Sequence, residues 1–492
     1  MQRLISIGIV GLWVALIGVF IRSNVPRLAV GNGVGAGQAA TGESWMGVYH
    51  LNQKIGYTRE SLQAESDGFA FSEDSLLRIT VLDEPQRVRT RIEGHTTRDF
   101  ALRDVDFELD SGLGHLHVRG TAGANSLRLR IRTGQDETEQ LVPLTQPIYL
   151  SSTLRASLQS SSLQPGQELS ALVFDPTSLK TEYTRLTIER YEAVPQAGRD
   201  VQAWRVREEF RGLRTTAWVD SNGSVLREEG PMGFVLVRET AHQAVNEGWS
   251  QTAEADLARQ MAVRVARPIH NPRGRRSLRL HVSGVAAKHV LEDAEQQRDG
   301  SVVTIRRGDL RETDSYKLPY AGGDHAEDLH ASAFLQSDHP RIRSVAHQAI
   351  GNEIDAQHAA KRLNDWVYEH LRKVPTVSIP NALQVLEMGA GDCNEHAVLL
   401  AALGRAVGLP TRVAAGMVYL DGAFLYHAWS EVWLGRWVSI DPALHQFPAD
   451  ATHIKLVVGE PEEQIAMLDV IGQMQIDVLD DESPSDDPRA VH

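Results

Sequence analysis

The sequence predicts an α+β protein: an antiparallel β domain, then a core in which a cysteine-bearing helix packs on an antiparallel sheet. Three observations lead there. From Glu43 to about residue 245, runs such as "LLRITVL", "RVRTRIEG", "LRLRIRTG" and "LTIERYEAV" alternate apolar and polar residues between polar turns, the period of half-buried strands. From Asp392 the period becomes helical, with Ala397, Leu399, Leu400, Leu403 and Val407 on one stripe. Beyond Gly408 and Pro410, "TRVAAGMVYLDGAFLYHAWSEVWLGRWVSIDP" reads as three further strands.

A chain of 492 residues is too long for one core, so two to four domains are expected. The apolar content of 42% is enough to fill them. The net charge is −14 with Lys and Arg scattered, which speaks against a nucleic-acid partner, since such binders carry a basic face. A single cysteine excludes an internal disulfide and any multi-cysteine zinc or iron–sulfur site. No cofactor is called for.

The chain opens with Met1-Gln2-Arg3 and then Leu4 to Ile21, 18 residues without charge or proline. As a helix this spans about 27 Å, near the thickness of a bilayer's hydrocarbon. No small-residue cleavage site follows directly, so residues 1–24 read as an uncleaved signal anchor, with a cleaved signal peptide as the alternative. Flanking charge does not fix the orientation. A single N-terminal span most often serves export, so the bulk of the chain is expected on the extracytoplasmic, periplasmic side.

Residues 25–42 hold a glycine-rich linker. The β domain over 43–245 contains a turn near Asn52-Gln53 and a hairpin signal at Asn222-Gly223, and offers no catalytic constellation. It reads as a scaffold or as a sheet that cups a ligand. "SLRLHVSG" and "SVVTIRRG" give short strands within a connecting region, 246–335, that ends in the loop "GGDHAEDLHASAFLQSDHP". The C-terminal core covers 336–460. Its first part, Ile342 to Arg372, has helical spacing through Ile350, Ile354, Leu363, Trp366, Val367 and Leu371. Residues 461–492 form an acidic tail, expected to be disordered from Asp480.

Cys393 sits at the first position of the predicted helix. Asp392 is its N-cap and Glu395 three residues later completes a capping box. The positive end of a helix and its free N–H groups lower a thiol's pKa and prepare a hole for an oxyanion. Downstream, Trp433 to Gly435 as a three-residue turn would set Val432 opposite Arg436 and His427 opposite Asp441; a two-residue turn would break that pairing. Opposed residues share a face, so Asp441 can hold one nitrogen of His427 and aim the other at Cys393. A mixed zinc site of Cys393, His396, His427 and Asp441 is the competing reading. It is set aside because His396 lies one helical turn along and the triad accounts for the other three. His445 and His453 read as loop or helix-end residues.

"GAGDCNEHAVLLAALGRAVGLPTRV", "HAWSEVWL" and "WVSIDP" resemble the three core motifs of the transglutaminase-like superfamily, a papain-like cysteine fold, over roughly residues 345–455. "FPADATHIKL" resembles bacterial members. The resemblance implies Cys393 as nucleophile, His427 as general base and Asp441 as orienting acid, acting by acyl transfer through a thioester. Members include cross-linkers, peptidases and amidases, and non-catalytic copies. With no recognisable amine-acceptor site, a hydrolase acting on a peptide or protein substrate is expected. A cross-linking transglutaminase and an inactive binding or assembly module are the alternatives. The Cys393 N–H would serve the oxyanion. Gln384 is a candidate for the second donor, its other reading being a helix-surface residue. The oligomeric state is left open.

Overall fold

A computed structural model describes residues 42–480, except 151–162, 250–261, 461–463, 465–466, 468–472 and a few shorter stretches. The expected anchor and most of the linker lie outside the described residues. Among the described residues, no helix is long and apolar enough to cross a membrane. The described residues divide into two units, one of residues 42–249 with Val377–Ile379, the other of 262–376 with 380–480.

The first unit carries the expected antiparallel β domain. One sheet of 14 strands begins at Gly42–His50, which lies in mid-sheet between Gln53–Ala64 and Phe234–Glu239. Strands run outward from there by neighbour-to-neighbour pairing, to Asp136–Pro143 on one side and Glu168–Asp175 on the other. The first turn falls one residue earlier than expected. Leu51 and Asn52, with φ of 45° and 66°, make the left-handed pair that matches the twist of a tight hairpin. At Asn222-Gly223 the hairpin forms as expected, with Asp220 Oδ1 accepting from the Asn222 and Ser224 N–H groups at 2.9 Å each.

The second unit holds the longer helices and three smaller sheets of five, four and two strands. The helical stretch from Ile342 breaks in two, Pro340–Ile350 and Ala356–His370. Gly351 (φ 61°) ends the first, and Asp355, accepting from the His358 N–H at 3.0 Å, caps the second. Ile354 therefore lies outside the apolar stripe expected of it and is 53% exposed. Of the connecting region expected at 246–335, the described residues from 262 belong to this same unit. Their strands Ser277–Ser283 and Val302–Arg306 pair with each other. Ser277–Ser283 also pairs with Gln475–Asp480, a strand inside the stretch expected as an acidic tail.

The helix Cys393–Ala406 is buried from Cys393 to Arg405 on every face, not along one stripe. Helices Pro340–Ile350, Ala356–His370 and Ala382–Met388 pack around it, together with the strand Ala423–Trp433. Each enclosed Leu of the run contributes about 1.5–3 kcal/mol through burial, which makes this helix the centre of the core. Gly408 (φ 76°) terminates it, and the Leu409 N–H returns to the Gly404 carbonyl at 2.9 Å.

Candidate active site

The site is built on the sheet beside that helix. Its central strand Thr411–Leu420 pairs with Ala423–Trp433 on one side and His453–Gly459 on the other. The turn between the first two is Asp421-Gly422, both with positive φ (47° and 89°), as the Asp-Gly pair predicts. The outer edge of Ala423–Trp433 is shared by two short strands. Val263–Arg264 pairs with Ala423 and Phe424, and Trp437–Ile440 with residues 430–433. His427 and Ala428 lie between them. There the Ala428 N–H donates to Cys393 Sγ at 3.2 Å, bringing the helix start and the histidine strand together.

The register differs from the expected one by two residues. The turn comprises Leu434 to Arg436, and Trp433 faces Trp437 with Val432 facing Val438. Carried one residue beyond the last pair, it sets Asp441 opposite Trp429 and diagonal to His427. A shift of two preserves the face, because strand side chains alternate with period two. His427 Nε2 and Asp441 Oδ2 are 2.6 Å apart. The carboxylate accepts the ring proton at Nε2, which leaves Nδ1 for a partner on the other side of the ring.

Asp392 and Glu395 form the expected capping box. Asp392 Oδ1 accepts from the Asn394 N–H at 2.9 Å and Glu395 Oε2 accepts from the Asp392 N–H at 2.8 Å. Gly391 is required beside it, because a Cβ there would stand 2.3 Å from the Glu395 Cβ. The thiol itself departs from expectation. Cys393 is 0% exposed, and burial pushes it well above the ordinary thiol value; the Asp392, Glu395 and Asp441 carboxylates push the same way, and the Ala428 N–H opposes them. Desolvation and three anions outweigh the helix terminus. Among the remaining residues weighed for the site, His396 is fully buried with Nδ1 against the Asp392 carbonyl at 2.6 Å. Gln384 lies half-buried on the helix Ala382–Met388.

His453 begins a buried strand and is not the loop residue expected. Its Nε2 lies 3.1 Å from the same Asp441 Oδ2 that holds His427. Its Nδ1 lies 3.1 Å from the Asp450 carbonyl and 3.4 Å from Asp450 Oδ1. Burial would lower the ring's pKa, but the Asp441 and Asp450 carboxylates raise it to about 9. Burial would likewise raise Asp441, yet the His427 and His453 rings hold it well below the carboxylate range. His427, Asp441 and His453 also present their ligand atoms within 4.8 Å of one another, the grouping by which they could hold a metal ion. Trp429 packs against both rings, its centroid 6.3 Å from His427 and 5.1 Å from His453. Below the cysteine, the Tyr426 hydroxyl lies 3.1 Å from Asn394 Oδ1 and 2.8 Å from Gln464 Oε1. Both are amide oxygens that accept, so the hydroxyl's one proton is shared between them. The one signal for His453 in the sequence was "THIKL", an alternation too short to separate strand from loop.

Residues 343–442 match the family model of the transglutaminase-like superfamily, so this stretch of the chain is a transglutaminase-like core. No curated relative matches the chain. Among solved structures, a candidate cysteine protease from Cytophaga hutchinsonii is similar at 17% identity, over 41% of this chain and 83% of that one, with a TM-score of 0.28. A β-barrel-like protein of unknown function from Brucella abortus is similar at 11% identity, over 40% and 94%, with a TM-score of 0.33. Both are loose likenesses.

Proposed function

We propose that the transglutaminase-like core at 343–442 is a cysteine acyl-transfer enzyme, a peptidase or amidase that hydrolyses peptide or carboxamide bonds. The observation that carries this reading is the pairing of His427 Nε2 with Asp441 at 2.6 Å on the strand whose Ala428 N–H meets the Cys393 sulfur. Asp441 fixes the tautomer with the proton on Nε2, so Nδ1 is the basic nitrogen. As the sulfur attacks the carbonyl carbon, Nδ1 takes the thiol proton and the oxyanion forms near the helix start, where the Cys393 N–H is available to it. The imidazolium returns that proton to the leaving nitrogen, the C–N bond breaks, and a thioester remains. Water then attacks the thioester, giving its proton to Nδ1. The acid departs and the thiol is restored.

The raised thiol pKa favours proton transfer coupled to attack over a resting thiolate–imidazolium pair. The reading that the enzyme works outside the cytoplasm rests on the charge and hydropathy of residues 1–24 alone. Incubating the purified full chain with peptides and amidated substrates, with and without a labelled primary amine, tests the chemistry. Release of ammonia or amine without incorporation is expected, and is lost in Cys393→Ser. Efficient amine incorporation would replace hydrolysis with cross-linking. The complete enclosure of Cys393 favours a second reading, a copy that binds without turnover. Absence of turnover, with a sulfur inert to small electrophiles, would establish it.

A further inference from the structure

We propose that His427, Asp441 and His453 form an inhibitory binding site for a divalent cation of the zinc class. The silencing effect rests on the triad reading given above; the site itself rests on its geometry.

The three donors converge from three stretches of chain: the strand Ala423–Trp433, the residue that follows Trp437–Ile440, and the first residue of His453–Gly459. All three are buried. His427 Nε2 at 2.6 Å and His453 Nε2 at 3.1 Å meet the same oxygen, Asp441 Oδ2. The three ligand atoms lie within 4.8 Å of one another. A tetrahedral ion about 2.0–2.1 Å from each donor spaces its ligands about 3.3 Å apart, so small movements of the rings and carboxylate seat it. Two imidazoles and one carboxylate suit Zn²⁺ and its transition-metal neighbours, whereas Ca²⁺ and Mg²⁺ take oxygen donors.

The surroundings of the donors point the same way. A ligating histidine donates its second ring N–H to a carbonyl or carboxylate, which turns the other nitrogen's lone pair to the metal. His453 Nδ1 faces the Asp450 carbonyl at 3.1 Å, with Asp450 Oδ1 at 3.4 Å. Asp450 is itself fixed, accepting from the Thr452 N–H at 2.8 Å and from Arg273 Nη1 at 2.6 Å. Asp441 Oδ1 accepts from the Leu444 N–H at 2.8 Å, which anchors the carboxylate and leaves Oδ2 for the ion. The Trp429 ring packs against both histidines and gives the site an apolar wall.

Occupancy would silence the triad through the tautomer of His427. In the reading above, Asp441 holds the proton on Nε2 and Nδ1 is the base. An ion on Nε2 displaces that proton, and the neutral ring then carries its proton on Nδ1. No lone pair remains there for the Cys393 proton. His427 keeps one proton, moved between its nitrogens, and any proton on His453 Nε2 passes to solvent. The sulfur takes no part, which separates this inhibition from metal capture by a thiolate.

The test uses the purified full chain, treated with a chelator and then titrated with Co²⁺ as a visible probe and Zn²⁺ as its competitor. A single Co²⁺ per chain is expected, with the strong visible absorption of a four-coordinate ion, displaced by Zn²⁺. His453→Gln should weaken the affinity by more than about 100-fold, beyond the 10–100-fold typical of an outer-shell change. His427→Gln serves the same purpose if that variant does not fold. Cys393→Ser should keep the affinity. Absence of uptake, an affinity unmoved by both histidine substitutions, or its loss in Cys393→Ser overturns the site. Zn²⁺ at the same stoichiometry should abolish wild-type turnover and a chelator restore it; full turnover with the ion bound overturns the inhibition. The Co²⁺ spectrum is read without substrate, so a chain that hydrolyses nothing would count against the enzyme reading and leave the site to be judged by its spectrum.

Discussion

The Ala428 N–H points at the Cys393 sulfur from 3.2 Å, across a gap between two short strands on the outer edge of the histidine strand. A backbone donor that would otherwise continue a sheet ladder is spent on the Cys393 sulfur. It holds the sulfur against the strand residue that follows His427.

This contact predicts different outcomes for two substitutions of Cys393. Serine can still accept from Ala428, so Cys393→Ser should unfold in urea close to wild type while losing turnover. Alanine leaves that buried N–H without an acceptor, so Cys393→Ala should be less stable than the serine variant by about 1–3 kcal/mol. Equal urea midpoints for the two variants would show the contact to be energetically idle.

Asp441→Asn removes the anion between two histidines. The amide can accept from His427 through its oxygen, but it also presents a donor and loses the charge that stabilises an imidazolium. Turnover should fall by on the order of 10⁴, as in the equivalent change of a serine-protease triad. The fall should appear in kcat more than in KM, measured with a hydrolysed peptide or amide.

Stability should depend on pH from both sides. Asp441 and Asp450 have folded values below their unfolded value of about 4. Their contribution is present above pH 4 and lost as the pH falls. His453 has a folded value of about 9, above an unfolded value of about 6.5. Its contribution is complete below pH 6.5 and lost as the pH climbs through about 9. Urea midpoints measured from pH 3 to 10 should peak between these limits, and the alkaline fall should shrink in His453→Gln.

Lys455 makes a structural prediction. It is buried and paired with Asp293 and with Glu431 of the histidine strand. Glu295, buried beside this group, is raised to about 7 by desolvation. Lys455→Met would leave Asp293 without its cation and Glu431 with Arg412 alone, and should cost about 3–5 kcal/mol in chemical unfolding. Lys455→Met with Glu431→Gln should recover part of the loss.

Gly391→Ala should separate cap from chemistry. The added Cβ would displace Glu395 and open the capping box, at about 1–2 kcal/mol in thermal or urea unfolding. Turnover should also fall, because the same cap fixes the helix start that bears Cys393. Unchanged stability would mean that Glu395 relaxes without loss.

Local chemistry made much of this legible. Asp392 and Glu395 announced the helix start, Asp421-Gly422 and Asn222-Gly223 marked their hairpins, and alternation exposed the large sheet. What escaped was set by distant residues. The register of Trp437–Ile440 depends on where Leu434–Arg436 turns, which spacing alone does not fix, although a two-residue slip kept His427 and Asp441 on one face. His453 gains its place from pairing with Thr411–Leu420, 35 residues earlier at Val418. The thiol's pKa was misjudged because the helix terminus is visible in sequence and full enclosure is not.

That enclosure bears on the fate of the sulfur over the protein's lifetime. Peroxide attack and disulfide exchange both require an accessible thiolate, and Cys393 offers neither the charge nor the access. As the only cysteine in the chain, it is also the only route by which two copies could be joined through sulfur. A fully enclosed thiol whose pKa is pushed up by burial disfavours oxidation and covalent dimerisation of the folded protein.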